Sequence, residues 1–275
     1  MSGKPRAAAI ALAFALLSAC TVPEEPIPIA PRQLVVQAVL DLGAQSCLIS
    51  LEWMDNGSRV HGQVTGANVS ITTLDGRVIR ATEDVFIYTP GFGNQPRDSA
   101  RWNGMYRVDL QKNGVVLLPG ATYTLDVRML DGTHATGKTT MPAVANAPDD
   151  RELSRFSDLR DTLRLSWKRV PGAKSYQVTV RAYPKDAPEI TESFYSIFTD
   201  TSVTIAGTAR SFQNDPVFPF GSRVDVTVVA VDDNYYTYFH PTVDPLAGAA
   251  PSRLTGALGL FGSVAPVVIR RYDVR

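Results

Sequence analysis

The chain has 275 residues, with 27 Lys and Arg against 27 Asp and Glu, three His and two Cys. At 44% hydrophobic residues it can build a packed core, which excludes a disordered chain. A formal charge of zero lacks the basic excess that nucleic-acid binding needs, and two cysteines make neither a disulfide framework nor a four-cysteine zinc site.

Lys4 and Arg6 open the chain with positive charge, and residues 7–17 are an uncharged apolar run. That run is too short for a bilayer, which takes roughly twenty residues, and it suits the apolar core of a signal peptide. Leu17-Ser18-Ala19-Cys20 follows at once and resembles the bacterial lipobox. The resemblance implies diacylglyceryl transfer to the Cys20 sulfur, cleavage before Cys20, and N-acylation with a fatty acid such as palmitate. Residues 1–19 are then a signal peptide and Cys20 the lipid attachment site. Several acyl chains anchor firmly, because each buried methylene contributes about 0.8 kcal/mol. Thr21 stands where Asp is associated with inner-membrane retention, so the resemblance favours the outer membrane, on its periplasmic or its outer face. Residues 20–33 carry Pro23, Pro26, Pro28 and Pro31 and read as a tether, extended at about 3.1 Å per residue.

From residue 34 on, apolar residues alternate at period two, as in an antiparallel sandwich. Leu34, Val36, Ala38 and Leu40 share one face; Cys47, Ile49, Leu51 and Trp53 share another. Tyr106, Val108 and Leu110 continue the pattern, as do Tyr123, Leu125, Val127 and Met129. Asp75-Gly76 and Asp131-Gly132 fall between such runs and signal hairpins. Residues 34–142 thus have the size and strand content of one immunoglobulin-like sandwich.

Residues 143–160 read as a linker, with room for a short helix between 151 and 160. Residues 161–275 resume the alternation with Leu163, Leu165 and Trp167, then Tyr176, Val178 and Val180, then Val224, Val226 and Val228. Leu165-Ser166-Trp167, Val170-Pro171-Gly172-Ala173 and Tyr176-Gln177-Val178-Thr179-Val180 resemble the B strand, turn and C strand of fibronectin type III domains. Val224 stands where that family carries its corner tyrosine, so that hydrogen bond must be absent or replaced. In the first block, Leu118-Pro119-Gly120-Ala121-Thr122-Tyr123 does offer such a tyrosine. The expected fold is all-β: two tandem immunoglobulin-like, fibronectin III-like β-sandwiches behind a lipoprotein signal peptide.

The order of features also resembles a family of bacterial outer-membrane lipoproteins known as a domain of unknown function. The matching segments are 34–38, Gly66-Ala67-Asn68-Val69, Gly104-Met105-Tyr106, 119–125, and Gly256 to Gly262 before a last strand over 264–273. The resemblance implies frequent encoding beside TonB-dependent receptors, hence an accessory role in uptake, and it implies no catalytic residues.

No nucleophile elbow, zinc-protease motif or phosphate loop is present. Gly256-x-x-Gly259-x-x-Gly262 lacks the spacing of a nucleotide fingerprint and reads as close packing. His61, His134 and His240 are scattered, and Cys47 alternates with core residues. Asp232-Asp233-Asn234 offers hard oxygens for calcium or, more simply, a solvated turn; Glu83-Asp84 is similar. The C-terminal part is rich in aromatic residues, with Tyr235, Tyr236, Tyr238 and Phe239 adjacent. They fall on both sides of any strand, so either residues 241–263 cover them or part of the cluster faces a partner. Trp102, beside Arg101, is a further candidate contact residue. The expected function is non-enzymatic, with no cofactor or metal: a membrane-anchored binding or accessory module for an outer-membrane receptor or other envelope protein. The alternative is a glycan-binding or adhesion module.

Overall fold

The computed structural model describes residues 32–55, 58–88, 100–144, 153–187, 191, 193–240 and 253–275, with 55, 58–63, 85–88, 100–103 and 153 described as backbone only. The signal peptide, Cys20 and the tether up to Pro31 lie outside the described residues. The protein is mostly strand. The first block holds β1 (Gln33–Asp41), β2 (Ser46–Asp55), β3 (Ser58–Gln63), β4 (Asn68–Thr72), β5 (Val78–Arg80), β6 (Thr82–Tyr88), β7 (Ala100–Asp109), β8 (Thr122–Arg128) and β9 (His134–Thr140). The second holds β10 (Leu153–Phe156), β11 (Thr162–Ser166), β12 (Ser175–Pro184), β13 (Ser193–Thr199), β14 (Ser202–Ala206), β15 (Ser222–Val231) and β16 (Leu258–Val274), with one helix, α1 (Asp233–Phe239).

β1 and β2 pair antiparallel, with Val36 opposite Leu51, Ala38 opposite Ile49 and Leu40 opposite Cys47. The two alternating runs read from the sequence therefore share one face, and that face is buried. β16 ties the two blocks together. Its first part, from Leu258 to Val264, runs parallel to β1. Its second part, from Val264 to Asp273, runs antiparallel to β15. One large sheet results, in the order β13-β12-β15-β16-β1-β2-β7-β6, with β10 on β16 and β3 on β2. The last strand thus begins six residues before the expected 264. Four residues of the segment expected as a linker form β10 instead of a helix.

Two core clusters lie against this sheet. The sheet β5-β4-β8-β9 closes the first, with Ile71, Tyr123 and Leu125 packed against Val36, Ile49 and Phe261. The pair β11-β14 closes the second, with Leu163 and Ile205 packed against Val178, Val226 and Val228. Ala230 of the second cluster and Ala265 of the first are register partners, so both cores lie on one face of the large sheet. Pro266 has no N–H for an interior strand, and the register shifts beside it, between Val228 and Val229.

Both Pro-Gly-Ala turns use one device. Leu118 N donates to the Tyr123 hydroxyl at 2.8 Å, and Val170 N donates to the Tyr176 hydroxyl at 2.5 Å. In each case the residue before proline, at the end of a loop, finds its acceptor on the following strand. Tyr176 thereby supplies a buried tyrosine bond in the block where Val224 cannot. The glycines near the C-terminus serve close approach. A Cβ on Gly259, whose φ is +113°, would fall on the Val36 carbonyl oxygen, and one on Gly256 on that of His134.

Candidate functional site

β15 ends at Val231, and Asp232 turns the chain out of the sheet. Its backbone is extended, and its carboxylate accepts from Tyr235 N at 2.9 Å as the N-cap of α1. Asp233 in the first turn complements the helix dipole. The aromatic segment is therefore a short helix, within a chain whose described residues are mostly strand, in line with the expected all-β class. The signal was in the sequence, because an aspartate directly before Asp233-Asn234 is a cap pattern.

Asp232 does more than cap. It is buried, and also accepts from the Thr139 hydroxyl of β9 at 2.6 Å and from Ser263 N of β16 at 3.2 Å. Burial pushes its carboxyl above the usual range, against the opposing pull of these hydrogen bonds. The expected solvated turn is thus a buried junction. The Asn234 side chain donates to the Lys138 carbonyl at 2.6 Å and the Phe261 carbonyl at 2.8 Å. The Tyr235 hydroxyl donates to Gln177 Oε1 at 2.8 Å, and Gln37 Nε2 donates to the Tyr238 hydroxyl at 3.0 Å. Burial raises the Tyr235 hydroxyl above its ordinary value. Gly262 lets the helix lie close: a Cβ there would come 3.0 Å from Tyr235 Cβ. One short helix is thereby fastened to β1, β9, β12 and β16.

Its aromatic side chains form a connected patch. Tyr236 and His240 stack with centroids 5.0 Å apart, and Phe198 of β13 meets Tyr236 edge-on at 5.4 Å. Phe239 contacts Tyr235 at 4.7 Å and Tyr238 at 5.1 Å, yet remains 50% exposed. An open cleft of about 290 Å³ beside the helix is lined by Arg169, Lys174, Phe198, Asp200, Tyr236 and His240. Arg169 pairs with Asp200 at 2.7 Å. Ring faces, an ion pair and hydroxyls suit the contact of a polar partner.

The structure brings Tyr235, Tyr236, Tyr238 and Phe239 together. Of residues 241–263, expected as their cover, 241–252 lie outside the described residues, while Phe261 and Ser263 of β16 bond Asn234 and Asp232 at the start of the helix. Trp102 is not with them: its backbone is on β7, opposite Phe86 of the edge strand β6, and its side chain is outside the description. The calcium reading finds no support. Asp232 spends its oxygens on Thr139, Tyr235 and Ser263, while Asp233 pairs with Arg253 at 2.5 Å and Lys174 at 3.7 Å. Glu83 accepts from Gly66 N at 2.9 Å, and Asp84 pairs with Arg107 at 3.1 Å. Among the described residues no three His, Cys, Asp or Glu stand where they could share an ion. Cys47 is buried as expected, and burial pushes its thiol up to about 12. Sequence reasoning missed Phe198, Gln37, Gln177, Thr139 and Ser263. Phe198 sits in an uncharged run without strict alternation, whereas the polar four act across 31 to 201 residues of chain and leave no local signal.

Among the described residues no helix is long and apolar enough to cross a membrane. Residues 21–269 match a family described as Domain of unknown function (DUF4249). No curated protein matches the chain.

Proposed function

This chain belongs to the DUF4249 family, and from that premise we propose that it is a lipid-anchored outer-membrane protein that binds another envelope protein without catalysing a reaction. The observation that carries this reading is the aromatic patch of α1, built on a helix fastened at four strands and exposed at Phe239. A rigid scaffold under exposed aromatic side chains is the usual construction of a protein contact surface. The anchor reading rests on Leu17-Ser18-Ala19-Cys20 at the end of the apolar run of residues 7–17. The partner, an outer-membrane TonB-dependent receptor, comes from the family resemblance alone.

We read the two cores as immunoglobulin-like sandwiches, the second fibronectin III-like, fused through β16. The two small facing sheets and the paired tyrosine bonds at Leu118 and Val170 support this. Crosslinking in intact cells followed by purification of the full chain tests the function. An outer-membrane receptor in the product is expected, and a protein that comes down alone contradicts it.

A second reading, glycan binding, is favoured by the stacked faces of Tyr236 and His240 at the open cleft. A glycan array separates the two: selective binding that Tyr236→Ala abolishes supports the sugar, and a blank array removes it.

A further inference from the structure

The two edges of the large sheet differ in kind. At one edge β6 carries Glu83 and Asp84, and its pairing with β7 slips between Asp84 and Phe86. Charge and a bulge are devices that keep an edge from recruiting another strand. β13, at the other edge, has neither. Its sequence Ser-Phe-Tyr-Ser-Ile-Phe-Thr holds no charge, proline or glycine, and its register with β12 is unbroken from Ser193 to Thr199. Phe194 and Ile197 are 52% and 40% exposed. Among the described residues no strand pairs with its outer side.

The order of residues on β13 says what kind of strand fits there. The strand is nearly palindromic about Ser196 in residue class. An antiparallel copy centred on Ser196 sets Phe194 opposite Phe198 on one face and Tyr195 opposite Ile197 on the other. Aromatic–aromatic and aromatic–β-branched pairs are the stabilising cross-strand combinations, and no like charges meet along the strand.

We propose that β13 is a self-association edge: two copies of this chain pair antiparallel through β13 around Ser196, and the large sheet continues across a two-fold axis. This goes beyond the binding function and does not depend on the anchor. A strand of this length spans about 23 Å at roughly 3.3 Å per residue, so the contact is small and suits a reversible dimer. Phe198 bears on Tyr236 and His240, so pairing brings a second copy's phenylalanine to the rim of the aromatic cleft.

The test is Ser196→Cys in the full chain, treated with a short bismaleimide, with Thr179→Cys as the control and the parent chain as background. Thr179 is the register partner of Ser196 on β12. Its two copies would stand three strand spacings apart, about 14 Å. Ser196→Cys is expected to give a product of twice the chain mass, and Thr179→Cys is not. Adding Ile197→Lys is expected to lower the yield at least tenfold with the melting temperature unchanged. No product from Ser196→Cys, equal yield from Thr179→Cys, or a product containing a different protein overturns the proposal.

Discussion

The Thr139 hydroxyl donates to Asp232 Oδ2 at 2.6 Å across 93 residues of chain, and both side chains are buried. This contact joins the small sheet of the first core to the start of the aromatic helix. Asp232→Ala removes a helix cap and the Ser263 N–H acceptor, and leaves the Thr139 hydroxyl only Ser263 Oγ at 2.9 Å. The expected loss is about 2–4 kcal/mol in chemical denaturation. A loss under about 0.5 kcal/mol, the size of an ordinary surface substitution, contradicts the junction.

The same residue sets a pH dependence. Burial holds the Asp232 carboxyl above its ordinary value, so the folded chain keeps a proton that the unfolded chain has released. Its contribution is full below about pH 4, the ordinary aspartate range, and declines as pH rises through the raised value. Asp232→Asn keeps a capping oxygen and removes the titration. The variant is expected to gain on the parent as pH rises from acid to neutral; a difference in denaturation midpoint that stays constant with pH contradicts the burial account.

Gly259 lets β16 run beside β1. Its φ of +113° is strained for any side chain, and a Cβ would strike the Val36 carbonyl oxygen. Gly259→Ala is expected to cost about 3 kcal/mol or more. Gly76, with φ +83° and nothing within 4 Å of a built Cβ, bears only the backbone penalty, about 1 kcal/mol. Equal losses for the two variants in urea denaturation contradict the close approach.

Much of the fold was legible because strand alternation is local. The faces of β1, β2, β8, β12 and β15 follow from their residues alone, and so does the burial of Cys47. What local pattern does not carry is which strand lies beside which. The pairing of β16 with both β1 and β15 joins residue 36 to 259 and residue 228 to 268. For the site, the aromatic residues were visible as a cluster. The helix is not legible from composition, because tyrosine and phenylalanine favour strands, and here the Asp232 cap and the packing on Gly262 prevail.

Cys47 offers a check on the first core. With its thiol pushed up to about 12, no thiolate forms near pH 8, and a thiol reagent is expected to label it only after unfolding. Its contribution to stability holds below the unfolded value of about 8.5 and fades as pH rises toward 12. Rapid labelling of the native chain at pH 8 contradicts the buried placement.

Phe239 is half exposed at the end of α1. Phe239→Ser is expected to change stability by no more than about 0.5 kcal/mol and to lower recovery of the partner after crosslinking at least tenfold. Unchanged recovery removes Phe239 from the contact.

The most direct measurement places a photo-crosslinking amino acid at Phe239 and, separately, at Leu130, which is 93% exposed on the turn between β8 and β9. The account predicts that irradiation of intact cells joins the chain to an outer-membrane receptor from position 239 and not from position 130. No receptor product from 239, or equal products from both positions, contradicts the aromatic helix as the binding face.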